Sequence, residues 1–346
     1  MVLLANPKYA AMVMDARSGE ILHSENANKR LHPASLTKMM TLYVVFQAVE
    51  NGEISLDKKV KISRHAASEP PSKLGLRPGQ KVRLRYLIRA AAVKSANDAA
   101  TALGEAIEGS EAAFARRMNR TAKAMGMNRT TFKNAHGLTE SGHLSTARDM
   151  TILGRHLFYD FPDYYHLFAR KTAAAGSKKV RNTNRRFLSN YRGADGIKTG
   201  YTRAAGYNLV ASANRNGERI ITTVFGGRST TTRNAQVAKL MNLGFKKAPR
   251  NVKLQKPKPP SYIAIARAYP VINLSKSLRP KIRPENNNDN NLIAVNEFKS
   301  DILSALKLAQ AVDNSPENPS EEYTNISFAS SPEPAYKIET LSLIHI

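Results

Sequence analysis

Cysteine is absent from the chain of 346 residues. Disulfides, thiolate nucleophiles and Cys-ligated metals are therefore excluded, and the absence suits an oxidising compartment without demanding one. Acidic residues are scarce, 27 Asp and Glu against 53 Lys and Arg, and the deficit is uneven. Positions 251–346 hold 11 basic and 10 acidic residues, so the first 250 hold 42 and 17, a net charge of +25. A globular domain this basic fits an anionic partner, whether nucleic acid, an acidic membrane surface or a carboxylate-rich polymer, and charge alone does not choose among them. Long apolar runs are missing too. The longest near-continuous one, residues 39–49, is too short to span a bilayer. Nor is there a complete signal peptide. Residues 1–5 read as the stub of one, without its charged start and most of its apolar region, so export by an upstream signal is expected. No internal repeat is present.

What is present is enough for a sizeable core, at 42% hydrophobic residues. Residues 9–15 (YAAMVMD) predict a strand, 16–19 a turn and 21–23 a returning strand, so the chain opens on a hairpin. From Ser35 to Val49 apolar residues surround the helical axis on nearly every side, the pattern of a buried helix. Helix is also predicted over 84–107, over 111–125 up to Gly126, and over 147–158, with Ser145 as N-cap and Asp149 favouring the helix dipole. Strands return at 196–202, 207–214 and 219–225, the last two joined by the turn Asn214-Arg-Asn-Gly217. A helix near 232–244 closes the domain. Beyond Pro249 the composition shifts. Residues 256–260 (KPKPP) form a stiff basic linker, 286–291 are Asn-rich, and 315–334 are rich in Pro, Ser and Glu. Such segments bury too little apolar surface to offset ordering entropy, apart from one short helix expected near 297–312. The abrupt end at 341–346 reads as a truncation or a scar.

Three Ser-x-x-Lys patterns occur: Ser35/Lys38, Ser55/Lys58 and Ser304/Lys307. The spacing puts a hydroxyl and an amine one helical turn apart on one face. On a buried helix the lysine is desolvated, its pKa falls, and it serves as a neutral base for the serine. Only Ser35 opens the buried helix; Ser55 lies in a polar stretch and Ser304 in the tail. Ser-x-Asn also occurs three times, at Ser24/Asn26, Ser95/Asn97 and Ser212/Asn214. Lys198-Thr199-Gly200 occurs once, on a strand-like segment with Gly196 before it, and a small residue on an edge strand lets a substrate backbone approach closely. The order is the signal: Ser-x-x-Lys on a buried helix, Ser-x-Asn among helices, then Lys-Thr-Gly on a strand is the motif set of penicillin-recognising serine enzymes.

The flanks narrow this further. Ser35-Leu-Thr-Lys-Met-Met40, Lys94-Ser-Ala-Asn-Asp-Ala99, His136-Gly-Leu-Thr139 with residues 142–150 (GHLSTARDM), and Asp195-Gly-Ile-Lys-Thr-Gly-Tyr-Thr202 followed by residues 205–210 (AGYNLV) resemble the low-molecular-mass D-alanyl-D-alanine carboxypeptidases, roughly over residues 6–248. The resemblance implies an α+β fold of the serine β-lactamase and D,D-peptidase kind: an antiparallel sheet flanked by helices, with an inserted helical lobe and the buried helix behind the sheet. The catalytic domain is expected at 6–250, its sheet lobe from about 6–62 and 190–250 and its helical lobe from about 63–189. A largely disordered tail, 251–346, is expected to follow. The implied activity is removal of the terminal D-Ala from peptidoglycan pentapeptides through an acyl-enzyme. Ser35 is the nucleophile and Lys38 its base, Ser95 relays a proton to the leaving amine, and Asn97 binds substrate or Lys38. Lys198 and Thr199 meet the terminal carboxylate, Gly200 belongs to the same strand motif, and the backbone N–H groups of Ser35 and Tyr201 form the oxyanion hole. No metal or cofactor is implied. β-Lactams would acylate Ser35, and the place of action would be the periplasm or the outer face of the bacterial inner membrane. Two departures stand out. Tyr201 occupies a position where relatives often carry His, and the stretch Asn182-Thr-Asn-Arg185 stands where some relatives hold the carboxylate with an Arg.

Rival readings remain. A serine β-lactamase or a D,D-endopeptidase uses the same motifs, though the Glu-x-x-Leu-Asn loop of one β-lactamase class is missing. An inactive peptidoglycan or nucleic-acid binder would not need Ser35, Lys38, Asn97 and Lys198 intact. His136 and His143 with Asp149 fit no standard zinc spacing, and no Ser-His-Asp pairing is evident. Arg181, Arg185, Arg186 and Arg192 have no nucleic-acid motif beside them, so no nucleic-acid partner is expected. A peripheral membrane contact through the tail helix stays open, although Glu297, Asp301 and Asp313 balance its lysines.

Overall fold

The structure, a computed structural model, describes residues 8–260. The stub at 1–5, Ser304/Lys307, the helix expected at 297–312 with its membrane contact, and the low-complexity runs beyond 260 lie outside the described residues. β1 (Ala10–Asp15) and β2 (Ile21–Glu25) form the opening hairpin. A 3-10 turn, Ala34–Leu36, leads into α1 (Thr37–Glu50). Then come β3 (Lys59–Lys61), α2 (Arg64–Ser68), β4 (Lys81–Arg83), α3 (Leu84–Arg89), α4 (Asn97–Glu108) and α5 (Glu111–Ala124). α6 (Ala147–Asp160) and the short α7 (Pro162–Tyr165) follow. β5 (Thr172–Ala175) pairs with β6 (Lys178–Arg181), and α8 (Arg185–Asn190) precedes the long strands. These are β7 (Ala194–Thr202), β8 (Gly206–Arg215) and β9 (Glu218–Gly227), and α9 (Thr230–Lys247) comes after them.

The main sheet has the order β2-β1-β9-β8-β7, antiparallel throughout, with β7 at one edge. Its two faces separate by the period-2 alternation of strand side chains. Met12, Met14, Ile197, Val210, Ile221 and Phe225 join the core shared with the helices of the middle of the chain. Ala11, Val13, Leu209, Ala211, Ala213 and Val224 meet Val237, Leu240 and Met241 of α9. Both faces are covered, which is why β1, β8 and β9 read as near-continuous apolar runs. The turn Asn216-Gly217 has positive φ at both residues, 52° and 84°, the geometry that lets a two-residue loop follow the strand twist.

α6 is the helix that lies directly on the inner face of the sheet, with Gly154 against Ile197, Val210 and Ile221. α1 sits beyond it, among α4, α5 and α6, with eleven of its fourteen residues buried. The expectation of the buried helix behind the sheet is thereby refined: α6 comes first, and α1 is the centre of the helical layer.

Three local expectations are corrected. The single helix over 84–107 is interrupted: α3 passes into one π-helical turn, Ala90–Lys94, then Ser95 takes a left-handed conformation (φ 64°) and α4 restarts at Asn97. The Ala-rich sequence favours unbroken helix. The break is imposed from outside, by Asn97 N–H donating to Ser72 O and by a lysine on Ser95, described below. The N-cap of α6 is Thr146, whose hydroxyl accepts from Asp149 N–H, because Ser145 Oγ is already bonded to Thr130 Oγ1. α9 starts at Thr230, two residues early, on a capping box between Ser229 and Thr232. Beyond α9 the chain is still held. Arg17 donates to Pro249 O and Arg250 O, Gln255 N–H donates to Arg17 O, and Arg155 donates to Gln255 O. No helix among the described residues is long and apolar enough to cross a membrane.

α9 is seated on the outer face of the sheet by Gly244. A Cβ there would lie 2.8 Å from both Ile220 Cγ2 and Val13 Cγ1, methyls of stiff β-branched side chains. Gly244→Leu is expected to destabilise the fold by about 2–3 kcal/mol through overpacking, read as a lowered urea midpoint at unchanged slope. A midpoint like that of the unchanged chain would mean that α9 is not seated there.

Candidate active site

Ser35 sits on the 3-10 turn that opens α1, preceded by Ala34 at φ 51°, a left-handed conformation that is strained for a residue with a side chain. Gly137 holds that turn from the other side: a Cβ on it would lie 1.9 Å from Ala34 O. β7 closes in from the sheet. A Cβ on Gly200 would come within 2.9 Å of Pro33 O and 3.1 Å of Ser35 N, so only glycine lets the strand lie this close to the serine's backbone.

Lys38, one turn into α1, is completely buried. Its Nζ lies 3.0 Å from Ser35 Oγ, 2.7 Å from Asn97 Oδ1 and 2.7 Å from the carbonyl oxygen of His136. The Asn97 amide is oriented by its own Nδ2, which donates to Pro70 O at 2.8 Å. Burial first, and then the charge of Lys198, hold the Lys38 ammonium well below the usual lysine range. A neutral amine has two N–H donors and one lone pair. Asn97 Oδ1 and His136 O can only accept and take the two donors, which leaves the lone pair for the Ser35 hydroxyl.

Lys198, on β7, is also buried, and its Nζ donates to Ser95 Oγ at 2.8 Å and to Thr199 O at 2.9 Å. Burial, then the charge of Arg233, lowers it to about 7. Thr199 Oγ1 donates to Thr183 Oγ1 at 2.7 Å. Ser95 reaches Lys198 because of the left-handed turn that breaks the helix, which swings its side chain out of register with α3 and α4.

These residues converge on a cleft of about 350 Å³ lined by Ser35, Ser95, Asn97, Thr199, Gly200 and Tyr201 among others, with Lys38 and Lys198 in its buried walls. Tyr201 is 56% exposed and rests on Tyr207, ring centroids 4.3 Å apart. Of the other Ser-x-x-Lys and Ser-x-Asn pairs within the described residues, none reaches the cleft. Ser55 and Lys58 are exposed in the turn before β3. Ser24 is exposed on β2, and Ser212 is buried in β8, bonded to Tyr165 and Asp195.

The stretch 182–185 contributes Thr183 to the cleft, while Arg185 lines a neighbouring basic groove with Lys94, Lys178, Lys179 and Arg181. The arginine on the cleft is Arg233, in the first turn of α9, buried and donating to Asn208 O at 3.2 Å. Sequence reading missed it, since a lone Arg in a run of Thr carries no motif. His143 is buried beside Thr37 and its pKa falls to about 3, chiefly through burial. Asp149 is occupied by Arg129 N–H and Thr130 Oγ1. His136, His143 and Asp149 therefore do not form a ligand set.

The family described as D-alanyl-D-alanine carboxypeptidase matches residues 7–229. The chain is 40% identical over 249 residues to D-alanyl-D-alanine carboxypeptidase DacF of Bacillus subtilis, covering 70% of this chain and 63% of that one. It is 39% identical over 241 residues to DacA of Escherichia coli, covering 68% and 60%. It thus spans about 60% of the length of such curated relatives. Among solved structures it is similar to penicillin-binding protein 5 of Haemophilus influenzae, at 37% identity and a TM-score of 0.66, over 68% of this chain and 70% of that one. Penicillin-binding protein D2 of Listeria monocytogenes in its ampicillin-bound form gives 34% identity and a TM-score of 0.61, over 71% and 99%. By this match, and with Ser35, Lys38, Ser95, Asn97 and Lys198 gathered on one cleft, the chain belongs to the D-alanyl-D-alanine carboxypeptidase family.

Proposed function

We propose that the chain is a serine D-alanyl-D-alanine carboxypeptidase that removes the terminal D-Ala from peptidoglycan pentapeptides, and that β-lactams acylate the same serine. The observation that carries this reading is the buried Lys38 amine 3.0 Å from Ser35 Oγ, with two fixed acceptors for its protons. Lys38 takes the Ser35 proton as the oxygen attacks the carbonyl of the penultimate D-Ala. The developing oxyanion is received by the backbone N–H groups of Ser35 and Tyr201, each worth about 3 kcal/mol in the transition state. Lys198 donates to Ser95 Oγ, which directs the Ser95 hydroxyl proton toward the leaving amine. As Ser95 gives up that proton it takes the one Lys38 received from Ser35, so the amine leaves protonated and Lys38 is neutral again for deacylation. Thr199 and the charges of Lys198 and Arg233 meet the terminal carboxylate. Water then releases the shortened peptide. The site of action is the periplasm or the outer face of the inner membrane, where this substrate lies. The catalytic unit is residues 6–250, and the hydrogen bonds made by Gln255 add a short strap behind it.

Ser35→Ala is expected to abolish covalent labelling by a fluorescent penicillin, while Ser55→Ala labels as the unchanged chain does. Labelling that survives Ser35→Ala would sink the assignment. Digestion of purified muropeptides then separates D-Ala release from cross-link cleavage, the endopeptidase outcome.

The two lysines predict a pH profile. Lys38 works neutral and Lys198 works charged, and Lys198 loses its proton as pH rises through about 7. Acylation kcat/KM in the free enzyme is therefore expected to fall above that pH. Lys198→Arg keeps its charge and should lose this alkaline fall while retaining more activity than Lys198→Ala. Profiles of identical shape for the unchanged chain and the Arg variant would remove Lys198 from the carboxylate contact.

A chain ending at residue 260 is expected to fold and to label with penicillin as the full chain does. One ending at 250 loses the Gln255 contacts and should differ only by a small drop in Tm. Failure of the 260-residue chain to label would place part of the catalytic unit beyond the boundary.

A further inference from the structure

Behind the wall that carries Asn97 lies a second cluster of titratable side chains, which the proposed reaction does not use. α2 presents His65, and Glu69 follows it at i+4, the spacing that brings two side chains onto one face of a helix. Glu111, the first residue of α5, faces them. His65 Nε2 is hydrogen-bonded to Glu111 Oε2 at 3.0 Å and lies 3.8 Å from Glu69 Oε1, and one ligand atom from each of the three lies within 4.8 Å of the others, so an ion entering here replaces that hydrogen bond. Ligands bound about 2.0–2.2 Å from a tetrahedral Zn²⁺ stand about 3.3–3.6 Å apart, so the observed separations bracket those of a coordinated ion.

The surroundings orient the two carboxylates. Thr101 Oγ1 is 3.0 Å from Glu69 Oε1 and 3.3 Å from Glu111 Oε1, so both carboxylates face one hydroxyl that has a single proton to give. Ala135 N–H donates to Glu111 Oε1 at 3.0 Å. His136 is placed beside them but is not a ligand. Its Nδ1 accepts from Leu138 N–H at 3.1 Å, which puts the ring proton on Nε2, 3.4 Å from Glu69 Oε1 and 3.5 Å from Glu111 Oε1. Two carboxylates held together mostly out of water, 6% and 14% exposed, call for positive charge beside them, and the ion-pair partners set against both are the imidazoles of His65 and His136. His65, more than half exposed, leaves the outer side open to a solvent ligand.

We propose that His65, Glu69 and Glu111 bind a divalent transition-metal ion of the Zn²⁺ type, completed by water, with Thr101 and His136 orienting the carboxylates from outside. The site is joined to the cleft at two points. Pro70, the residue after Glu69, offers the carbonyl that orients Asn97, and His136 offers the carbonyl that accepts from Lys38. An ion there fastens α2 to α5 directly behind the two groups that hold the lysine.

The test is a calorimetric titration of the full, untagged chain with Zn²⁺, beside thermal melts with and without the ion. It reads binding and not hydrolysis, so it stands whether or not the reading of Ser35 does. The unchanged chain is expected to bind one Zn²⁺ and to gain Tm, as a ligand specific to the folded state must produce. His65→Ala and Glu111→Gln should weaken binding by about tenfold or more, and each should lose the gain in Tm when its melt with zinc is read against its own melt without it. His23→Ala, which removes a half-buried imidazole on β2 paired with Glu25 and away from the cluster, is the control and should show the same zinc-dependent gain as the unchanged chain. An absence of saturable binding, or binding that persists equally in His65→Ala and Glu111→Gln, would overturn the site and leave the cluster as a network of hydrogen bonds and ion pairs alone.

Discussion

Two lysine side chains buried in one site, neither in an ion pair among the described residues, are the constraint around which the molecule is organised. An ammonium taken out of water either finds compensation or gives up its proton. Lys38 has three neutral oxygens as partners, and burial first and then the field of a second lysine hold its pKa well below the usual lysine range. Lys198 has Ser95 Oγ and Thr199 O, and Arg233 nearby, and is left near the midpoint of its titration at neutral pH. The elements that supply these oxygens come from distant parts of the chain: α1, the loop holding His136, the start of α4, and β7. Their convergence is what the fold has to achieve.

That convergence depends on backbone approaching backbone. Gly137 against Ala34 O and Gly200 against Pro33 O and Ser35 N are contacts that no Cβ would permit. Between them the turn carrying Ser35 is clamped with Ala34 at positive φ, a conformation costing on the order of 1–3 kcal/mol that persists only because its surroundings leave no alternative. Ser35 is thus positioned by backbone packing on two sides.

The basic surplus also has a location. Lys94, Lys178, Lys179, Arg181 and Arg185 line a groove that shares Ser72 and Thr183 with the cleft, with no acidic residue in its lining. A positive surface beside a cleft raises the local concentration of an anionic polymer there. The net charge of +25 over the first 250 residues is in that sense a property of the approach to the cleft as well as of the surface as a whole.

Much of this was legible in the sequence. Period and composition determine the opening hairpin, the buried α1, the turn Asn216-Gly217 and the two strands it joins, because each reflects a local preference or an all-round apolar pattern. The order of Ser35/Lys38, Ser95/Asn97 and Lys198-Thr199-Gly200 singles out one pair of each kind from its duplicates. What the sequence could not specify is whatever depends on a distant partner. The left-handed break at Ser95 lies in a stretch that by propensity is helix, and it exists because Lys198 and Ser72 bond to residues there. Thr146 caps α6 because Thr130 has already taken Ser145. Arg233 reaches the cleft only because α9 folds back across the sheet, and His65, Glu69 and Glu111 meet only because α2 and α5 are brought side by side. Residue type and spacing along the chain fix which groups are available. The distances between them, and the burial that shifts their protons, arise only when the strands and helices pack.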